Sequence, residues 1–317
     1  MRVLARKVMR LAPVLLIVSF LSFLLLNLLP GDPTIAILGP GATTEARAHL
    51  RHQLHLDQPT LVRFWHWLGH SATGHLGQSY VNGQPVLEAI RQRLPVTLEL
   101  LILSQVVALL ISVPLGVLAA RKPNGWLDRV STSSAFAFLA LPNFILGVVL
   151  VYLFAVKFKL FPATGYTPLT QDPVQNLRSM VLPTVTLAVA ELCVYLRLLR
   201  TDMIATLQED FITMAKAKGL PESRVLLRHA LRPSTFSLVT VAGLNFGRLI
   251  GGTLVVELIF ALPGVGFMTV QAIYQRDYLV VQGVVLLIAT AYVLVNFLVD
   301  LVYVALDPRI RHAPAAA

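Results

Sequence analysis

The sequence predicts an all-α integral membrane protein with six transmembrane helices and a small extracytoplasmic segment between the first two. Three observations lead there. Of 317 residues, 56% are hydrophobic and 13% charged, and the mean hydropathy is +0.72. An ordinary soluble domain is roughly 45–50% apolar and about 25% charged. Six runs are long and apolar enough for a bilayer, which takes about 20 residues per helix. The segments between them sort by their Lys and Arg content, which sets orientation.

The runs are Leu11–Leu29, Val96–Ala120, Ser131–Val156, Met180–Leu199, Phe236–Phe260 and Leu279–Leu306. Pro114, Pro142, Pro183 and the Gly251–Gly252 pair fall inside them. Membrane helices tolerate such residues, because neighbouring helices satisfy the freed backbone groups. The first run follows a basic start and leads into "NLLPGDP" rather than a small-x-small cleavage site, so it reads as a retained signal-anchor. The organisation is then 1–29 as tail and first helix and 30–95 as the outer segment. Residues 96–306 form the membrane core, with a cytoplasmic loop at about 201–233, and 307–317 form the tail.

One side of the membrane collects Arg2, Arg6, Lys7, Arg10, Arg121, Lys122, Arg129, the 201–233 loop, Arg309 and Arg311. That side is cytoplasmic, and an even number of spans puts both termini there. The net charge of +10 therefore reflects topology, not nucleic-acid binding. In the outer segment, Leu61, Phe64, Trp65 and Leu68 share a helical stripe, and Trp65 and Trp67 suit the headgroup zone. This is a small cap lying on the membrane.

Catalytic signals are weak. His49, His52 and His55 recur every third residue, but no carboxylate or Cys completes a metal set, so a solvated helix face is the expectation. A membrane metalloenzyme built on that trio is the remote alternative. "GHSAT" lacks the final Gly of a nucleophile elbow. No Gly-Lys pair occurs, which excludes a Walker A loop. Cys193 stands alone in an apolar run, so no internal disulfide forms.

Ionisable groups within spans are costly and mark a protein interior or a water-filled path. Glu191 and Arg248 sit mid-span and read equally as pathway lining or as an ion pair between helices. Glu99, Glu257 and Asp300 read as structural or interfacial.

The segment "DFITMAKAKGLPESRVLLRHALRP", Asp210–Pro233, is basic and helix-forming between two spans. Helical composition continues into it from Thr201–Asp210. Lys216 and Lys218 occupy a last turn, and Gly219 follows as a helix stop. Pro221 and Glu222 open a second helix, and Pro233 is expected to break it before the next span. The result is a helix–Gly–helix elbow. Small Ala215 and Ala217 would let another surface approach; the competing reading is a basic amphipathic helix on anionic lipid.

"MAKAKG" followed by "RVLLRHALRP" resembles the cytoplasmic signature loop of binding-protein-dependent ABC transporter permeases. That loop reads Glu-Ala-Ala, three residues, then Gly; Thr213, Met214, Ala215 and Gly219 fall on its positions, with the Glu and first Ala replaced. "FLLLNLLPGDP", "LDQP", "RLPVTLEL", "SVPLGVLAA", "LPNFILG", "LFPATGY", "GGTLVVELIFALPGVG", "RDYLVVQG" and "LDPRIR" follow in order and resemble the dipeptide, oligopeptide and nickel branch, first (B-type) membrane subunit. The resemblance implies a type I importer permease that forms half of a pathway for peptides. It implies a second permease subunit, two ATPase domains (separate or fused) that bind the ATP and Mg, and an extracytoplasmic solute-binding protein. No cofactor is expected in this chain, no nucleic acid partner, and a prokaryotic plasma (inner) membrane location. Asp210, Phe211, Ala215, Lys216, Ala217, Lys218, Gly219 and Leu220 become the ATPase-coupling loop. Nickel chelates, glutathione or another small solute stay open as substrates.

Overall fold

A computed structural model describes residues 13–24, 34, 38–39, 41–53 and 57–306. The helices are α1 (Pro13–Leu24), α2 (Thr44–Gln53), α3 (Thr60–Ala72), α4 (Val86–Arg121), α5 (Trp126–Ala140), α6 (Asn143–Leu150, continuing as a π-helix over Val151–Lys157), α7 (Pro173–Thr206), α8 (Asp210–Ala217), α9 (Glu222–Phe260), α10 (Val265–Tyr274) and α11 (Tyr278–Leu306). Among the described residues, α4, α7, α9 and α11 are each long and apolar enough to cross a membrane, and the bent α5–α6 pair makes a fifth. The first expected span, Leu11–Leu29, lies partly outside the described residues; α1 is its described portion. The basic N-terminus, His55, Leu56, the Asp300 side chain and the 307–317 tail also lie outside them.

The third expected span is not one helix. α5 and the α6 pair are bent by 102° at Leu141–Pro142. Leu141 is extended (φ −88, ψ 125), and so is Pro142 (ψ 137). The ring of Pro142 disfavours helical backbone at the preceding residue, and here no neighbour overrides it. Pro233 shows the opposite outcome: it does not break the chain, because α9 runs through it. Val225–Ala230, just before it, is π-helical. That wider winding already departs from the i→i−4 ladder that a proline ring obstructs. α4 also begins ten residues before its apolar run, at Val86, and its 36 residues reach about 54 Å against a hydrocarbon core of about 30 Å.

The chain forms two compact units. The first comprises Met1–Thr97 and Pro263–Leu294. Its centre joins Val86, Ala89 and Ile90 of α4 to Val265, Met268 and Ala272 of α10 and Val280, Val281 and Val284 of α11. The Thr97 hydroxyl accepts from the Val265 N–H at 2.9 Å and satisfies a donor at the start of α10. The Ser79 hydroxyl donates to the buried Asp277 carboxylate, and the Tyr80 N–H follows at 3.3 Å. α3 packs through Phe64, edge-on to Phe20 and Phe23, with Trp67 beside Phe23. Leu61 and Trp65 of the expected stripe are exposed instead.

The second unit comprises Leu98–Leu262 and Val295–Ala317. α7 is its axis and packs against α5, α6 and α9. Asp172 accepts from the N–H groups of Val174 and Gln175 and so caps α7, with Pro173 at the first helical position. The buried Asp128 carboxylate receives Arg200 in bidentate fashion, with Nη2 to Oδ2 at 2.7 Å, and accepts from the Asn124 N–H at 2.8 Å. Tyr166 donates to Glu99 Oε2 at 2.7 Å, and burial, then Glu99, push its phenol up to about 12. Glu257 is fully buried.

α9 and α11 approach closely at Gly243, where an added Cβ would lie 2.2 Å from a Val299 methyl. Overpacking a fitted core costs about 1–3 kcal/mol, more than a glycine's helix penalty of about 1 kcal/mol. Gly243→Val should therefore lower the unfolding temperature of the detergent-purified protein. Adding Val299→Ala should recover most of the loss; additive losses would show that the two side chains do not share space.

Candidate coupling elbow and intramembrane polar cluster

α7 ends at Thr206, not at Asp210 as composition suggests, and Glu209 is extended (ψ 150). Asp210 stands in the first turn of the new helix α8, where a negative charge suits the dipole. α8 closes on a Schellman arrangement. The Gly219 N–H donates to Lys216 O at 2.9 Å, and the Leu220 N–H reaches back to Ala215 O at 3.3 Å. Gly219 carries φ +73, the left-handed backbone expected there, and a Cβ on it would meet nothing within 4 Å. The constraint at Gly219 is therefore conformational, worth about 1–2 kcal/mol for a side-chain-bearing residue.

The inward face of the elbow is apolar. Ile212 has 0% exposure and Ala215 6%, and both join one cluster with Leu199 and Met203 of α7 and Val225, Leu226 and Ala230 of α9. Leu220 packs against the same cluster. This corrects the reading of Ala215: its small side chain fits a close approach within the chain, not an open groove for another protein. The outward face is mixed. Asp210, Thr213, Lys216, Ala217 and Lys218 are exposed, together with Phe211 at 47% and Met214 at 58%. Met214 falls on the signature-loop pattern but was not placed among the coupling residues; its i+3 spacing from Phe211 was the available signal. Near the start of α9 the elbow is braced by Arg121, whose Nε and Nη2 reach the Glu222 carboxylate at 2.8 and 2.6 Å.

Glu191 and Arg248 are not brought together. Arg248 is exposed, with no ion pair among the described residues. Glu191 is half-buried, and its Oε2 accepts from the Asn245 amide at 2.7 Å. Tyr195, fully buried, donates to Gln105 Oε1 at 3.1 Å, and the Gln105 amide lies 3.4 Å from Ala242 O. Asn245, Tyr195 and Gln105 were missed because uncharged residues in apolar runs raise no signal. His49 and His52 lie on α2. Among the described residues, no three His, Cys, Asp or Glu gather as a metal site.

Residues 112–312 match the family described as binding-protein-dependent transport system inner membrane component, and residues 1–101 match its N-terminal membrane-component family. A putative peptide transport system permease protein of Brucella abortus is 42% identical over 307 residues, covering 97% of this chain and 98% of its own. A probable peptide ABC transporter permease protein of Sinorhizobium fredii is 39% identical with the same coverages. The glutathione transport system permease protein GsiC of Salmonella typhimurium is also 39% identical, covering 97% and 98%. A crystal structure of an amino acid ABC transporter with histidines aligns at TM-score 0.49 and 14% identity, over 70% of this chain and 94% of that one.

The chain belongs to the binding-protein-dependent transport permease family. It is a multi-pass membrane permease, and the elbow lies inside the span of residues that carries the family match.

Two variants separate the faces of the elbow. Ala215→Trp should expose α8 to limited proteolysis in the isolated permease, since the buried site has no room for an indole. Met214→Ala should leave the proteolytic pattern unchanged. At Gly219, substitution by Val should loosen α8 more than substitution by Asn, which tolerates left-handed backbone. Equal protection for Ala215→Trp and wild type would contradict the packing described.

Proposed function

We propose that this permease is one membrane-spanning half of an ATP-driven importer of small peptides, and that α8 docks in a groove of a partner ATPase. The observation that carries this is the two-faced elbow. It is fixed to the spans by Ile212 and Ala215 and offers Phe211 and Met214 outward, unpartnered among the described residues. A helix that merely rode on lipid would have less reason to be pinned by a Schellman turn to the ends of α7 and α9. The names of the Brucella and Sinorhizobium relatives support peptides as the cargo.

On this reading the chain binds no cofactor itself. ATP and Mg are held by two ATPase domains, separate or fused, a second permease subunit completes the pathway, and an extracytoplasmic solute-binding protein delivers the substrate. The exposed Arg121, Lys122, Lys216, Lys218, Arg224 and Arg228 lie in or next to segments joined by the Arg121–Glu222 pair. That concentration supports a cytoplasmic elbow, with both termini on the same side, in a prokaryotic inner membrane. Transport follows from unequal partner affinity for the inward- and outward-facing states. A second reading, glutathione as cargo, has the Salmonella relative in its favour and uses the same machine.

Burying one Phe or Met side chain contributes about 1.5–3 kcal/mol. Phe211→Ser with Met214→Ser should thus cut recovery of the ATPase in pull-downs and peptide uptake in vesicles by roughly tenfold or more. The permease itself should keep its unfolding temperature. Full ATPase recovery by the double variant would defeat the docking assignment.

A further inference from the structure

Around Glu191, α7 and α9 meet through neutral polar groups among the described residues. The Asn245 amide, itself buried, donates to Glu191 Oε2 at 2.7 Å. One turn along α7, Tyr195 ties to Gln105, which reaches the Ala242 carbonyl on α9. Glu191 forms no ion pair among the described residues, and Arg248, a turn from Asn245, is exposed and does not approach it. Asp128 and Glu222, by contrast, each hold an arginine.

A carboxyl group inside a span ordinarily meets an opposite charge or faces a water-filled path, because lipid solvates it poorly. Among the described residues, Glu191 has no cation beside it, and it is only half-buried. Its oxygen is nevertheless oriented by a short bond from a residue on the facing helix. An ammonium group would complete this arrangement, since a charge-assisted bond is roughly twice as strong as a neutral one. On the peptide reading above, every ordinary substrate carries such a group at its amino terminus.

We propose that Glu191, held by Asn245, receives the α-ammonium group of a peptide in transit and so is a specificity-determining residue of the permease. The competing role is a polar clamp between α7 and α9. Glu191→Gln separates the two, because a Gln oxygen still accepts from Asn245 while the charge is gone.

The test uses the complete transporter in proteoliposomes, with a dipeptide at saturating binding protein. Glu191→Gln should lower uptake roughly tenfold, with unchanged recovery of the assembled complex. Adding Asn245→Asp returns a carboxyl group to the other end of the same hydrogen bond and should restore most of the uptake. Wild-type uptake by Glu191→Gln, or failure of that variant to assemble, would mark a clamp and overturn the proposal. So would absence of recovery in the double variant. A wild-type complex that takes up no dipeptide would overturn the peptide reading, and this inference with it; intact uptake by Glu191→Gln overturns the inference alone.

Discussion

The burial of Ile212 and Ala215 beneath α8 is the constraint on which the rest depends. A short helix of eight residues is marginal by itself, since nucleation is costly and few bonds follow. Here it is kept by an apolar face sealed against the ends of α7 and α9, and by a turn at Gly219 that satisfies its final carbonyls. The same packing fixes which residues point away. With Ile212 and Ala215 inward, Phe211 and Met214 face outward.

Polar groups elsewhere obey the cost of removing charge from water. Asp128, buried at the start of α5, holds Arg200 of α7 in bidentate geometry, and Arg197 lies over the Phe136 ring at 4.4 Å. α5 and α7 are thereby tied at the end of α7 that leads to the elbow. Arg121 and Glu222 form a second tie, but both are exposed, and solvent screens such a pair so that it adds little stability. Its value is geometric: it sets the end of α4 beside the start of α9. Glu191, like Glu99 with its Tyr166 partner, is held by a neutral group, the Asn245 amide.

Much of this was legible in the sequence. Four of the apolar runs are the long helices, and the lysines before Gly219 marked a helix end that the left-handed backbone matches. The failures have local causes. Pro142 and Pro233 look alike as letters, yet one bends the chain by 102° and the other lies within a continuous helix. A π-helical turn precedes Pro233, and no periodicity announces it. Ala215 was read outward because smallness suits any close approach, and the sequence does not say whose surface approaches. α10 escaped notice because a helix of ten residues falls short of a span. Asn245 and Gln105 escaped because a neutral amide becomes informative only when its neighbour across the helix interface is known.

The central claim is that the elbow moves as one piece with the spans. Amide hydrogen exchange of the permease in lipid nanodiscs measures this directly. The Lys218, Gly219 and Leu220 N–H groups donate to Met214, Lys216 and Ala215. The account predicts that these amides, with those of Ile212 and Ala215, exchange as slowly as the last turn of α7 around Met203. Exchange at the rate of an unstructured loop, with α7 still protected, would contradict it.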